Sequence, residues 1–217
     1  MKQAYAPGCA LMIYKPDLAM NIYQYLKVNS GDMQYYSGCC RKQPLLVDTR
    51  IINTCAGCDR RYRELYRSIS TISLWEVLAA SKTFPFPDYR GAVMTIHDAC
   101  PTRTEYRVHQ ALRELLAKMN ISIIEPERTR TKASCCGDKF YGILPVNQVK
   151  EQMKRRASEM PCENVVVYCV SCIKAMHVGG KQPRYIIDLL FNQSTEAGTS
   201  EPDEWHRELQ MYIDQHL

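Results

Sequence analysis

Ten of the eleven cysteines fall in one order, and that order occurs twice. A lone cysteine comes first, then an adjacent pair, then C-x-x-C. Cys9, Cys39-Cys40 and Cys55-x-x-Cys58 form the first set; Cys100, Cys135-Cys136 and Cys169-x-x-Cys172 form the second. Only Cys162 stands outside. From lone cysteine to pair is 30 positions in the first set and 35 in the second; from pair to C-x-x-C is 15 against 33. The first copy therefore lacks about one helix there. The flanks agree as well: "NTCAGCDRRYREL" and "VYCVSCIKAM" both pass from a β-branched stretch through C-x-x-C into a helix-like segment. Further on, "SLWEVLA" and "YIIDLLF" share a pattern, with Glu76 and Asp188 in the same place. Such self-similarity makes each copy one supersecondary unit and the chain a tandem duplication.

The period of the apolar residues sets the fold class. "AVMTIH", "ISII" and "NVVVYC" are short β-rich runs of the kind that fills buried parallel strands. Between them, Val108, Leu112, Leu115 and Met119 recur at helical spacing, and Val146, Val149, Met153 and Met160 do so again. Strands alternating with helices imply βαβ units and parallel sheets. The expectation is an α/β protein of two pseudo-symmetric, Rossmann-like lobes. The first spans 1–84 and the second 85–192, with a hinge in "KTFPFPDYRG" (82–91) and a linker with an amphipathic helix over 193–217. In that last segment Trp205, Leu209, Ile213 and Leu217 form one apolar stripe expected to pack on the protein's own core. In parallel sheets ligands gather beyond the carboxyl ends of the strands. Cys55 and Cys169 stand there, directly after "IIN" and "VVVY".

A disulfide between neighbouring cysteines closes a strained eight-membered ring, so the sulfurs need another partner. Eleven cysteines in 217 residues are an odd number and too few for a disulfide scaffold. The start of the chain does not read as a signal peptide, and no apolar run reaches the ~18 residues of a membrane span. The cytoplasm is the expected location, and in that reducing compartment such cysteines bind metal or do redox work. A cysteine at a helix N-terminus loses its proton more readily, and thiolate is the form that binds metal or attacks a disulfide. Tetrahedral zinc and a cubane iron–sulfur cluster each take four ligands, whereas each set here offers five. A zinc-stabilised binding module and a metal-free thiol-disulfide protein remain the alternatives.

Cys100, Cys135-Cys136-Gly137 and Cys169-x-x-Cys172, with "HDACPTR" and "SCCGDKFYG" around them, resemble the cysteine-rich CCG domain of heterodisulfide reductases and of the iron–sulfur components of glycolate and lactate oxidation systems. That family carries the domain in tandem, and the resemblance spans roughly Gln3 to Phe191. It implies one or two non-cubane 4Fe-4S clusters held by Cys9, Cys39, Cys40, Cys55 and Cys58 and by Cys100, Cys135, Cys136, Cys169 and Cys172. It further implies an oxidoreductase component that relays electrons or reduces a disulfide. The first copy departs from the family: Arg41 stands where the glycine belongs, so zinc, a different cluster and an empty site all stay open for this lobe. No ferredoxin-type cysteine run is present, so the resemblance implies a separate electron-transfer partner, either a flavoprotein or a ferredoxin-type protein.

The formal net charge is +5. Ten thiolates around two clusters of about +2 each would contribute about −6, so the basic excess offsets the sites. No nucleic-acid-binding module is recognisable, and nucleic acid is excluded as a partner. Arg128, Arg130 and Lys132 alternate before the second pair and, if extended, share a face toward a small anionic thiol or disulfide substrate. His97 is a candidate proton donor to a leaving thiolate, because its ordinary pKa lies near neutrality. Asp98 reads as a cap, Cys162 as a buried apolar residue, and Tyr62, Leu65 and Ile69 as the inward face of a helix.

Overall fold

The computed structural model describes residues 2–42 and 46–216. Each half of the chain builds an α/β lobe on a four-stranded, all-parallel sheet, as expected. In the first lobe β1 (Lys2–Ala6), β2 (Met33–Tyr35), β3 (Thr49–Asn53) and β4 (Ile69–Ser73) lie in the order β2-β1-β3-β4. In the second, β5 (Ala92–Ile96), β6 (Ile121–Ile124), β7 (Asn164–Val167) and β8 (Gln182–Tyr185) repeat it as β6-β5-β7-β8. The duplication read from the cysteines is thus a duplication of topology.

Burial explains which strands are central. Val165, Val166 and Val167 are fully buried, and so are Ile51 and Ala4. These strands have neighbours on both edges and helices on the faces, so their apolar runs are continuous rather than alternating. β1 pairs with β3 from Lys2↔Thr49 to Ala6↔Asn53, and β5 with β7 at Thr95↔Val165 and Ile96↔Val166. The crossing helices are α1 (Cys9–Tyr14) with α2 (Pro16–Ser30) and α3 (Ala56–Leu65) in the first lobe. α4 (Leu74–Ala79) follows β4, and Ser73 starts it with a capping box to Glu76. The second lobe has α5 (Tyr106–Lys118), α6 (Val146–Ser158), α7 (Val170–Val178) and α8 (Ile186–Leu190). α6 lies between β6 and β7; among the described residues, no helix occupies the corresponding stretch 36–48.

This strand order reverses direction between β1 and β3, and between β5 and β7. At such a switch point the connections leave in opposite directions and a crevice opens at the carboxyl ends. Cys9 follows β1 and Cys55 follows β3; Cys100 follows β5 and Cys169 follows β7. The pairs Cys39-Cys40 and Cys135-Cys136 come from the loops after the neighbouring strands β2 and β6.

The chain divides into two compact units, Met1–Ala80 with Arg207–Leu217, and Ser81–His206. α9 (Pro202–His216) contributes to both sets of residues. Trp205 is buried and its indole N–H donates to Ser171 Oγ at 3.1 Å within the second unit. Ile213 is buried too, Leu209 is half-buried, and Leu217 lies outside the described residues. No helix among the described residues is long and apolar enough to cross a membrane.

Some local expectations need correction. Tyr62 points inward, but Leu65 is exposed and Ile69 belongs to β4, not to a helix. Residues 130–132 form a single 3-10 turn, so the three alternating basic residues do not share an extended face. Cys162 is half-buried rather than core.

Candidate functional site

Each C-x-x-C converges for a local reason. Cys55 is the N-cap of α3 and Cys58 its third residue; Cys169 and Cys172 hold the same positions on α7. N-cap and third-residue side chains meet in a helix start, which is the geometry a capping box uses. Cys55 accepts the backbone N–H groups of Gly57 and Cys58 and a contact from the Cys58 thiol. The adjacent pairs also share a device. A backbone N–H two residues on donates to the first sulfur of each pair: Arg41 to Cys39 and Gly137 to Cys135, both at 3.4 Å.

In the second lobe the five thiols interact pairwise, and one pair is in close contact. Cys100 Sγ lies 3.6 Å from Cys135 Sγ. Cys135 also interacts with Cys136, Cys136 with Cys172, and Cys172 with Cys169, each shifting the other's protonation. In the first lobe Cys39 and Cys40 touch each other, Cys40 touches Cys58, and Cys58 touches Cys55. Cys9 feels the charges of Cys55, Cys39 and Cys40. The cysteines of each set are neighbours in this way, with Cys9 joined to its set by charge and not by contact. All eleven cysteines are free thiols.

The fixing contacts come from the strand ends. The Tyr168 hydroxyl, one residue before Cys169, accepts the Ala99 backbone N–H at 2.7 Å and lies 2.8 Å from Thr102 Oγ1, so it clamps the turn that carries Cys100. In the first lobe Tyr5 on β1 and Thr54, one residue before Cys55, meet at 3.2 Å. Asp98 is not simply a cap. Its buried carboxylate takes both terminal nitrogens of Arg113 (2.7 and 2.8 Å), Thr129 Oγ1 and the Arg130 backbone N–H. Burial alone would raise its pKa, but Arg113 and the Arg130 N–H outweigh burial and hold it down to about 2. This one carboxylate ties the end of β5 to α5 and to the loop leading to Cys135.

Crowding sets the protonation of the thiols. Contact with the Cys58 thiol, followed by the backbone N–H groups at the start of α3, brings Cys55 down to about 7. Burial, then the neighbouring sulfurs, pushes Cys9 up to about 12. In the second lobe the Cys100 contact lowers Cys135, while Cys100 and Cys136 rise because Cys135 takes the negative charge first. Like charges at this spacing cannot all be present without a cation among them.

His97 is fully buried beside this group. Among the described residues, a ring nitrogen of His97 and the sulfurs of Cys136 and Cys172 form the one group of three possible ligand atoms within 4.8 Å of one another. Arg156 Nε donates to His97 Nδ1 at 3.1 Å. A guanidinium offers only donors, so Nδ1 is the acceptor and the ring proton sits on Nε2. Burial and then the Arg156 charge push the imidazolium form down to about 3. Burial and the Arg156 charge thus disfavour the imidazolium form of this candidate proton donor. Arg156 itself carried no sequence-level role.

No protein-family model matches the chain, and no curated protein matches it in sequence. Among solved structures the chain is similar to a glutamate racemase from Campylobacter jejuni subsp. jejuni, at 10% identity and a TM-score of 0.38, covering 99% of this chain and 98% of that one. It is also similar to an aspartate racemase from Picrophilus torridus, at 9% identity and a TM-score of 0.36, covering 98% and 100%. The resemblance to the CCG domain is not upheld: no family model takes the chain in, and no curated protein matches it. With it go the assignments that rested on it, namely an iron–sulfur oxidoreductase component, an electron relay and a reducer of disulfides. The zinc-stabilised binding module and the metal-free thiol-disulfide protein gain no support either. The likeness to the racemases is too slight to bring their activity to this chain.

Proposed function

We propose that the chain is a metal-binding protein in which each lobe holds one centre of soft metal ions on its five cysteines. The observation that carries this reading is the run of interacting thiols Cys100, Cys135, Cys136, Cys172 and Cys169, with Cys100 and Cys135 at 3.6 Å and no disulfide among them. Thiolates on helix N-termini, drawn from three strand ends at a switch point, are the donor set that soft metals select. A single tetrahedral zinc, with Zn–S of about 2.3 Å, needs four sulfurs about 3.8 Å apart. A string of five with no tight foursome fits a centre of more than one metal ion better. The residues that would hold it are the two quintets; iron with inorganic sulfide in the second lobe, and either that or zinc in the first, are the compositions that the test separates.

Metal and acid-labile sulfide content of the anaerobically purified chain, with Cys136→Ser and Cys40→Ser measured separately, tests the proposal. Cys136→Ser is expected to remove the second lobe's metal and leave the first lobe's; Cys40→Ser is expected to do the reverse. Metal that neither change reduces, or its absence from the parent protein, overturns the reading.

A further inference from the structure

Beside Cys135 lies a cavity of about 240 Å³ that the cysteine centre does not use. Its walls carry Arg103, Arg128, Lys139, Arg155 and Arg156, opposed by one carboxylate, Glu159. Glu159 is already committed to Arg156, whose Nη1 it accepts at 2.5 Å, with Arg128 at a marginal 3.9 Å. Arg103 anchors through Nε to the Ala133 carbonyl at 2.6 Å, which leaves its terminal nitrogens for the cavity. Among the described residues, Arg103, Lys139 and Arg155 have no ion pair. Folding alone does not explain this grouping, because like charges around one concavity repel and gain nothing without a counter-charge.

We infer that this cavity binds a small organic anion carrying two or more negative charges, of the carboxylate or phosphate class, against the Cys135 side of the second cysteine group. Three features set that class. The surplus of cations over carboxylate requires more than one negative charge on the ligand. Guanidinium forks match carboxylate and phosphate oxygens in pairs. The volume is below the ~300–1,000 Å³ of pockets for drug-sized ligands, so the ligand is small. Cys135 on the wall puts a sulfur beside whatever the cations hold. The lining comes from four places, the turn after Cys100, the loop before Cys135, the turn after Gly137 and α6, and the same segments position the second quintet. The inference does not depend on the metal proposal, since the cations face the cavity whatever the sulfurs bind.

Calorimetric titration of the full chain at low ionic strength, with citrate and separately with inorganic phosphate, is the test. Arg155→Gln with Lys139→Gln removes two exposed cations that hold no ion pair, so folding should be spared; unchanged thermal melting verifies this. The double variant is expected to weaken binding of the preferred anion at least tenfold. Lys132→Gln, an exposed lysine outside the lining, should change it less than twofold. Tighter citrate than phosphate binding assigns a polycarboxylate, and the reverse order a phosphate. Absence of binding by the parent chain, or an equal loss in the Lys132 variant, overturns the site. Metal content measured on the same samples separates this outcome from failure of the metal proposal.

Discussion

His97 shows how one neighbour can reverse the reading of a residue. Its position before "DAC" offers a titrating imidazole; its environment supplies a buried guanidinium that only donates. A neutral histidine ligates through the nitrogen that lacks the proton, and here that nitrogen is already held by Arg156. Among the described residues its Nε2–H is buried without a hydrogen-bond partner, and it belongs to the same small cluster as Cys136 and Cys172. We therefore expect His97 to act as a hydrogen-bond donor near the sulfurs and not as a ligand. His97→Phe should leave the metal content of the second lobe unchanged. It should also cost about 1–3 kcal/mol of stability in urea melts, because the Arg156 Nε–H is then buried unpaired. Loss of metal in this variant would instead make His97 a ligand. The sequence did carry a signal for Arg156: it falls on the apolar stripe of α6, three residues after Met153 and four before Met160. A charge on a buried helix face needs partners, but which partners is a tertiary fact.

At the scale of elements, the turn after each cysteine pair separates the two copies. Gly137 stands at φ 111, and a Cβ there would come within 2.8 Å of the Met153 backbone nitrogen and Cγ on α6. Glycine is required both by the backbone and by the approach of that helix. In the first lobe the pair is closed by an ordinary turn, with the Lys42 N–H on the Cys39 carbonyl at 3.1 Å. Gly137→Ala should destabilise the protein by at least about 2 kcal/mol and reduce the second lobe's metal, whereas Arg41→Gly should cost under about 1 kcal/mol. Urea midpoints and metal content of the two variants check this. Gly8 plays a comparable part at the first switch point: at φ 79, its Cβ would lie 3.1 Å from Cys55 Cβ. Central strands were readable because burial on both faces makes them apolar. "MQY" and "QPRY" were not, since β2 and β8 are short edge strands, and Pro183 is tolerated only where no neighbour needs its N–H.

Across the whole molecule, the proposed metal centres would couple to the fold through the same strand ends. Each quintet draws ligands from three successive loops of its sheet, so a bound centre cross-links segments that hydrogen bonds such as Tyr168 to Ala99 only partly restrain. Binding to the folded chain alone then adds stability by mass action. Removing metal anaerobically with a strong chelator is expected to lower the melting temperature, and restoring metal to raise it again. A melting temperature that does not respond would show that the sulfurs are not ligands in the folded protein.

Duplication, α/β class, parallel sheets and the order of ten cysteines in two fives were legible in the residues alone. Period and spacing are local properties, and a strand followed by a helix places its junction cysteine at a carboxyl end wherever the strand sits. Packing in three dimensions settled that β1 and β3, and β5 and β7, are the neighbours flanking each switch point. It also turned Asp98 toward Arg113, made His97 a neutral donor and gathered the cations beside Cys135. Each of those depends on which distant side chain arrives at a buried polar atom, and packing chooses that partner.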